Sequence, residues 1–130
     1  LPEGHPSKDR YIELYKKHAE GLMALQKKDG YWPASLMDPD KVRTPEVSGT
    51  GFITFGLAWG VNNGILTDQR SKDVVEKGWE AITNAVSDDG RVNWVQHVGK
   101  SPDPVKESDS QLYGTGAVLL AASEMLKWNK

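Results

Sequence analysis

The chain passes through one order of motifs twice, and this repetition constrains its fold more than any other feature. Each half contains an Asp-Gly turn, a proline-containing loop, a Gly-Thr-Gly triplet and an apolar run. The turn, triplet and run lie at 29–30, 49–51 and 52–61 in the first half, and at 89–90, 114–116 and 117–126 in the second. The turns are 60 positions apart and the triplets 65, a spacing suited to a unit of helix, long loop and helix. Such units normally need about three or more neighbours to bury their apolar faces, so two copies indicate part of a larger array.

The composition excludes several classes of protein. With 130 residues, 38% of them hydrophobic and 26% charged, the chain has the make-up of one globular domain. Its formal charge is -2 with acids and bases interspersed, so no basic stripe is available to follow a nucleic acid backbone. The absence of cysteine excludes disulfides and thiolate metal sites. No apolar stretch reaches the roughly 18 residues that a membrane span requires, so neither nucleic acid nor membrane is an expected partner.

Two kinds of helix are predicted, and they alternate along the chain. Segments that begin at Ser7 and at about Thr67 or Ser71 carry apolar residues on one stripe only, which is typical of helices with one exposed face. The segments 52–61 and 117–126 are apolar on all sides, which predicts buried helices. Alternation of outer and inner helices is what a double-ringed helical toroid requires, whereas a flat four-helix bundle, the alternative, does not need it.

The predicted fold is therefore all-α, with two outer/inner helical hairpins that form a partial toroid. Hairpin one covers about 7–64 and hairpin two about 67–130, within a single segment that spans the chain. Short strand signals at 31–36 and 91–95 lie in the connections and predict β-hairpin-like loops. Because the chain begins at Leu1 without Met or a leader, we expect further sequence upstream.

The Gly-Thr-Gly triplets are candidate binding elements because each begins a predicted buried helix. Unpaired N–H groups and the positive end of the helix dipole attract an anion there. The glycines let a ligand approach the backbone, and Thr50 and Thr115 can offer hydroxyl groups. Close helix packing with capping by Ser48 or Ser110 is an equally good interpretation of either triplet alone. Repetition at both inner helices favours a shared cavity.

Aromatic and acidic residues near the triplets have a functional and a structural interpretation. Trp32 and Trp94 follow the two Asp-Gly turns and could stack on sugar rings, although packing is the better interpretation of each alone. His97 could reach the mouth of a cavity. Three carboxylates precede the inner helices: Glu46, Glu107 and Asp109. A carboxylate in that position is more often a helix cap than a catalytic acid. The histidines lack metal-ligand spacing.

Several longer motifs, in order, carry a resemblance that covers essentially the whole chain. They are Leu22-x-x-Leu25-Gln26-x-x-Asp29-Gly30-x-Trp32, Pro45-Glu46-x-Ser48-Gly49-Thr50-Gly51-Phe52, Gly56-Leu57-Ala58-Trp59-Gly60-Val61-Asn62-Asn63-Gly64, Asp89-Gly90-x-x-x-Trp94-Val95-Gln96 and Tyr113-Gly114-Thr115-Gly116-Ala117. Together they resemble the C-terminal part of the unsaturated glucuronyl and rhamnogalacturonyl hydrolases, glycoside hydrolase families 88 and 105.

The resemblance implies an (α/α)6 toroid of six hairpins, of which this chain holds two. Members of these families hydrate the C4=C5 double bond of unsaturated uronyl oligosaccharides that polysaccharide lyases release. Their acid-base Asp and a second, assisting Asp lie in the N-terminal two thirds, and no position of this sequence matches those motifs. We therefore expect no catalytic residue in this chain, no activity of the chain alone, and no metal or cofactor. Both the bacterial periplasm and the cytoplasm remain open as locations.

On this resemblance the chain supplies walls of a substrate cavity. Residues expected near the substrate are Trp32, Ser48, Thr50, Tyr113 and Thr115, with His97 at the rim. A uronate carboxylate near the N-termini of the inner helices is electrostatically favourable. Two alternatives stay open: a non-catalytic helical-hairpin module that binds carbohydrate or a protein partner, and a small independent enzyme that uses Glu46 with Glu107 or Asp109. Because two flanks lack neighbouring hairpins, we also expect self-association.

Overall fold

The computed structural model describes residues 1–128 and is all-α in this range. The four helices are α1 (Lys8–Ala24), α2 (Val47–Asn62), α3 (Gln69–Asn84) and α4 (Leu112–Met125). Within the described residues, β pairing is limited to one isolated antiparallel bridge between Val86 and Val92. The predicted helical class is confirmed. The β-hairpin-like loops are reduced to that bridge, and the segment 31–36 is irregular, with bends only.

The two inner helices pack side by side and run in the same direction. Near their N-termini Gly51 lies against Ala117, and a Cβ at position 51 would come within 2.9 Å of the Ala117 Cβ. At their C-terminal ends the Asn62 side-chain amide donates to the Glu124 carbonyl and carboxylate, at 3.0 and 2.8 Å. The absence of a side chain at Gly51 therefore permits the close approach that brings both N-termini to one end of the molecule.

Glu124 is the one charged residue in either inner helix, and its surroundings explain why it is tolerated. Burial by itself would raise the pKa of its carboxyl, but hydrogen bonds from Lys127 and Asn62, with the Lys127 charge, together lower that pKa. The Lys127 Nζ lies 2.7 Å from the carboxylate. The carboxylate is thus held ionised at the end of the helix pair opposite to the N-termini.

The Asp-Gly turns have the same geometry in both halves, which confirms the repeat in three dimensions. Gly30 and Gly90 adopt left-handed φ angles of 86° and 82°. Asp29 and Asp89 each accept a hydrogen bond from the backbone N–H two residues further on, at 3.3 and 3.1 Å. Each turn lies a few residues after the end of an outer helix, in the loop to an inner helix, so the repeat unit of helix, loop and helix is present twice.

The inner helices are not buried on all sides, contrary to the expectation from their apolar sequences. Leu119 is 65% exposed and Leu126, just after α4, is 75% exposed, and Phe52 and Trp59 of α2 are exposed as well. The physical reason is that each inner helix has a single inner neighbour within the described residues. Helices that are apolar all round but covered on one side only fit an arc of a ring, not a closed bundle. None of the described helices is long and apolar enough to cross a membrane.

Candidate functional site

The N-termini of α2 and α4 meet the loop that joins α3 to α4, and backbone hydrogen bonds fix this junction. The Val47 N–H donates to the Trp94 carbonyl at 3.0 Å. The Trp94 and Val95 N–H groups donate to the carbonyls of Glu107 and Asp109, at 3.2 and 3.0 Å. The loop therefore lies across the start of α2 before it leads into α4, so residues of both repeats share one surface.

Trp94 has a backbone conformation that this junction enforces. Its φ is 57°, in the left-handed region that a bulky residue rarely adopts. Both its N–H and its carbonyl are engaged by the hydrogen bonds just described. Such a conformation costs on the order of 1–3 kcal/mol and persists where the surroundings over-determine it, typically at functional sites. The strain at Trp94 supports the assignment of this junction as the candidate site.

Glu46 is the buried N-cap of α2. It is 6% exposed, and its carboxylate accepts hydrogen bonds from the N–H groups of Ser48 at 3.0 Å and Gly49 at 2.6 Å. The Ser48 hydroxyl donates to the same carboxylate at 2.6 Å. The capping interpretation of Glu46 is confirmed. A negative charge already occupies the N-terminal end of α2, where the helix dipole favours it.

The start of α4 is organised differently. Within the described part of the chain no side chain caps this helix, although Gln111 stands at its N-cap. The Gln111 amide instead lies 2.7 Å from Nδ1 of His97, and the His97 Nε2 lies 3.7 Å from the Asp109 carboxylate. Thr115, one turn into the helix, is exposed. The N-terminal end of α4 thus presents an exposed imidazole and a hydroxyl next to uncapped backbone N–H groups.

Tyr113 joins the two helix starts. Its hydroxyl donates to the carbonyl of Gln96, in the loop that crosses α2. Burial raises the pKa of the Tyr113 phenol, and the charge of Glu46 raises it further. The phenol is therefore protonated near neutral pH and acts as a hydrogen-bond donor. Tyr113 and Ser48, both predicted site residues, are half-buried parts of one polar network.

Trp32 and Thr50 lie in the interior instead. Trp32 is 2% exposed, and its indole N–H donates to the Leu22 carbonyl at 2.6 Å. The Thr50 hydroxyl donates to the Glu46 carbonyl at 2.7 Å and accepts a hydrogen bond from the backbone N–H of Trp32 at 3.1 Å. Neither side chain has surface available for a sugar ring. The expected contact of these two residues with substrate is not retained, because both are used in packing.

Sequence reasoning missed the role of the two glutamines. Gln111 occupies the position 65 residues after Glu46, so alignment of the two repeats would have marked it as the counterpart of the α2 cap. Gln96 ends one of the sequence motifs, but the sequence does not show that its side-chain amide donates to the Asp103 carbonyl at 3.1 Å. Among the described residues no group of His and acidic side chains is placed to hold a metal ion.

The chain matches known proteins over nearly all of its length. Residues 1–129 match Glycosyl Hydrolase Family 88. Two curated relatives carry the name unsaturated 3S-rhamnoglycuronyl hydrolase: a protein of Alteromonas sp. (strain LOR), 96% identical over 100% of this chain and 32% of the relative, and a protein of Formosa agariphila, 45% identical over 98% of this chain and 34% of the relative. The chain thus spans about a third of the length of these relatives.

A solved structure shows the same arrangement of helices. A glycosyl hydrolase family 88 protein from Bacteroides vulgatus superposes with a TM-score of 0.94 at 36% identity, over 98% of this chain and 38% of that protein. The outer and inner helices therefore form a partial α/α toroid, as the sequence predicted. By its match over residues 1–129, the chain belongs to glycosyl hydrolase family 88.

Proposed function

We propose that this chain is the C-terminal third of a hydrolase that hydrates the C4=C5 double bond of unsaturated uronyl oligosaccharides. In this proposal it forms part of the wall of the substrate cavity, and the acid-base residue lies in the other two thirds of the protein. The names of the Alteromonas and Formosa relatives favour an unsaturated rhamnoglycuronyl group as the substrate. The chain alone is then inactive.

The observation that carries the proposal is the convergence of both inner-helix N-termini on one polar surface. His97, Tyr113 and Thr115 lie there beside the loop that crosses α2. Of the three carboxylates that precede the inner helices, Glu46 caps α2, Asp109 accepts the Lys106 N–H at 2.8 Å, and Glu107 is exposed. Such a surface can orient a sugar by hydrogen bonds but offers no paired carboxylic acids for glycoside chemistry.

Charge favours a uronate carboxylate at the start of α4 over one at the start of α2. The Glu46 carboxylate already fills the N-terminal end of α2 and would repel a second anion. Gln111 is neutral at the equivalent place, and the uncapped N–H groups of α4 stand beside His97. An exposed helix N-terminus favours an anion by about 0.3–1 kcal/mol. We therefore place the substrate near His97, Tyr113 and Thr115, with Ser48 at the α2 side.

Kinetics of a complete enzyme test this proposal. A hybrid enzyme is made by placing this chain in the matching third of the Alteromonas relative, to which it is 96% identical. The hybrid enzyme is expected to remove the ultraviolet absorbance of unsaturated oligosaccharides. His97→Ala or Thr115→Ala should lower kcat/KM about tenfold, the effect of losing a hydrogen bond to a charged group. Glu76→Ala, on the exposed face of α3, is the control without effect.

Two results would contradict the proposal. Loss of activity in the hybrid enzyme, while the Alteromonas relative itself turns over substrate, would show that this chain cannot supply the cavity wall. Full activity of both site variants would show that the substrate lies elsewhere. Binding of saturated and unsaturated oligosaccharides alike, without turnover, would favour the non-catalytic carbohydrate-binding alternative.

Self-association of the isolated chain is a consequence of the exposed flank of α4. We expect light scattering to detect oligomers, because soluble monomers rarely expose large apolar patches. Replacing both Leu119 and Leu126 with serine should lower the average mass. Met37→Ser is the matched control, because Met37 is an exposed apolar residue in a loop and not on an inner helix. A stable monomer of the unaltered chain would contradict this expectation.

A further inference from the structure

Glu46 connects more of the site than a helix cap requires. Besides the two N–H groups at the start of α2, its carboxylate lies 3.4 Å from the Gln96 N–H, in the loop from the second repeat. The neighbouring Val47 N–H donates a hydrogen bond to the carbonyl of Trp94 in the same loop. One buried side chain thus joins the start of α2 to the segment 94–97, which includes His97 and the carbonyl that Tyr113 contacts.

The sequence around Glu46 is adapted to this arrangement. A Cβ at position 49 would lie 2.7 Å from the Glu46 Oε2, so glycine there lets the carboxylate reach the backbone. The backbone carbonyl of Glu46 also accepts a hydrogen bond from the Thr50 hydroxyl. That hydroxyl in turn accepts one from the backbone N–H of Trp32. Glu46 is therefore fixed by the core on one side and contacts the loop on the other.

The second repeat shows that the architecture does not itself require an acidic cap. Gln111 takes the equivalent position at α4, and there the side chain turns to His97 and leaves the helix uncapped. α4 forms nonetheless over Leu112–Met125. The carboxylate at position 46 is thus specific to the inner helix that the loop 94–97 crosses.

We propose that Glu46 is a positioning residue, which holds the segment 94–97 against α2 and so places His97 and Tyr113 toward the substrate. This inference rests on the proposed function, because it assigns Glu46 a part in orienting that substrate. Glu46 does not touch the substrate. Its effect on the reaction passes through the loop, and a displacement of about 1 Å in positioning groups is enough to slow an enzyme about a hundredfold.

Asp68 provides a matched control within the same chain. It caps the outer helix α3 with the same chemistry: its carboxylate accepts the Ser71 N–H at 2.9 Å and the Ser71 hydroxyl at 2.8 Å. Loss of either cap should lower the free energy of unfolding by about 1 kcal/mol. Asp68 belongs to an outer helix, so a purely structural role of Glu46 predicts that both substitutions lower stability but leave kcat/KM and the exchange of the Gln96 N–H unchanged.

The experiment compares Glu46→Gln, Glu46→Ala and Asp68→Ala in the hybrid enzyme. The amide of Glu46→Gln has one acceptor oxygen and places a donor against one of the N–H groups, so kcat/KM should fall about tenfold. Glu46→Ala should lower it about a hundredfold. Asp68→Ala should change it less than about twofold, since it loses only an outer-helix cap. Hydrogen exchange of the Gln96 N–H should accelerate in the Glu46 variants and not in Asp68→Ala.

The outcomes separate this inference from the proposed function. If the unaltered hybrid enzyme is inactive, the proposed function fails, and unchanged exchange at Gln96 in Glu46→Gln would overturn the inference by itself. If the hybrid enzyme is active and the Glu46 variants match Asp68→Ala in both kcat/KM and exchange, the inference is overturned. If Glu46→Ala does not fold, Glu46→Gln decides by the same two measurements.

Discussion

Replacing Trp32 with alanine is expected to lower the free energy of unfolding of the chain by about 3–5 kcal/mol, the cost of deleting a buried aromatic side chain. The indole is almost fully buried, and its N–H satisfies the Leu22 carbonyl in the last turns of α1. Urea unfolding of both proteins at one concentration measures the difference. Equal concentrations are necessary because association shifts apparent stability.

Two further variants identify the cause of the loss. Trp32→Phe keeps most of the apolar volume but removes the indole donor. The Leu22 carbonyl keeps the Leu25 N–H at 3.0 Å, so the variant should cost about 1 kcal/mol, from one lost hydrogen bond and the smaller ring. Trp59→Ala is the control, since Trp59 is 40% exposed on α2. If Trp32→Ala cost less than Trp59→Ala, the interior role of Trp32 would be wrong, and its original assignment as a sugar-stacking residue would regain support.

Replacing Gly30 with alanine is expected to destabilise the chain by about 2–5 kcal/mol, from two separable causes. The left-handed φ of 86° costs an alanine about 1–2 kcal/mol. In addition, a Cβ would collide with the Lys77 carbonyl oxygen and lie 3.1 Å from the Ala81 Cβ, and such overpacking typically costs 1–3 kcal/mol. The Asp29-Gly30 turn therefore packs tightly against α3, at Lys77 and Ala81.

Gly90→Ala separates these causes. Gly90 has nearly the same φ, 82°, but no atom within 4 Å of the position of a Cβ. It should therefore show the backbone cost alone, about 1–2 kcal/mol. Urea unfolding of the two variants side by side gives the packing contribution as their difference. Equal losses would mean that the turn at Gly30 does not pack tightly on α3.

The repeat and the helical periodicity were sufficient to predict the architecture. The Asp-Gly turns, the one-sided outer helices and the apolar inner helices all follow from spacing and residue type, which are local properties of the chain. The exposure of Leu119 and Leu126 did not follow, because burial depends on which neighbours are present. The prediction of a strand at 31–36 was wrong for a similar reason. Within residues 1–128 no second strand lies beside it, and the backbone N–H of Trp32 donates to the Thr50 hydroxyl.

The candidate site was predictable in position but less so in its individual residues. The helix N-termini were correctly located by the Gly-Thr-Gly triplets. Sequence position alone could not show that Thr50 faces the interior while Thr115, at the equivalent place, is exposed, because the two inner helices have different neighbours. The divergent roles of Glu46 and Gln111 likewise depend on the loop that crosses only α2.

Reconstitution of the hydrolase from two parts tests the proposal that this chain provides surroundings for a reaction whose acid lies in the rest of the protein. The remaining two thirds of the Alteromonas relative is produced separately, mixed with this chain, and assayed by loss of the ultraviolet absorbance of unsaturated oligosaccharides. The expected result is turnover by the mixture and none by either part alone. Turnover by the 130-residue chain alone, at the rate of the mixture, would contradict it.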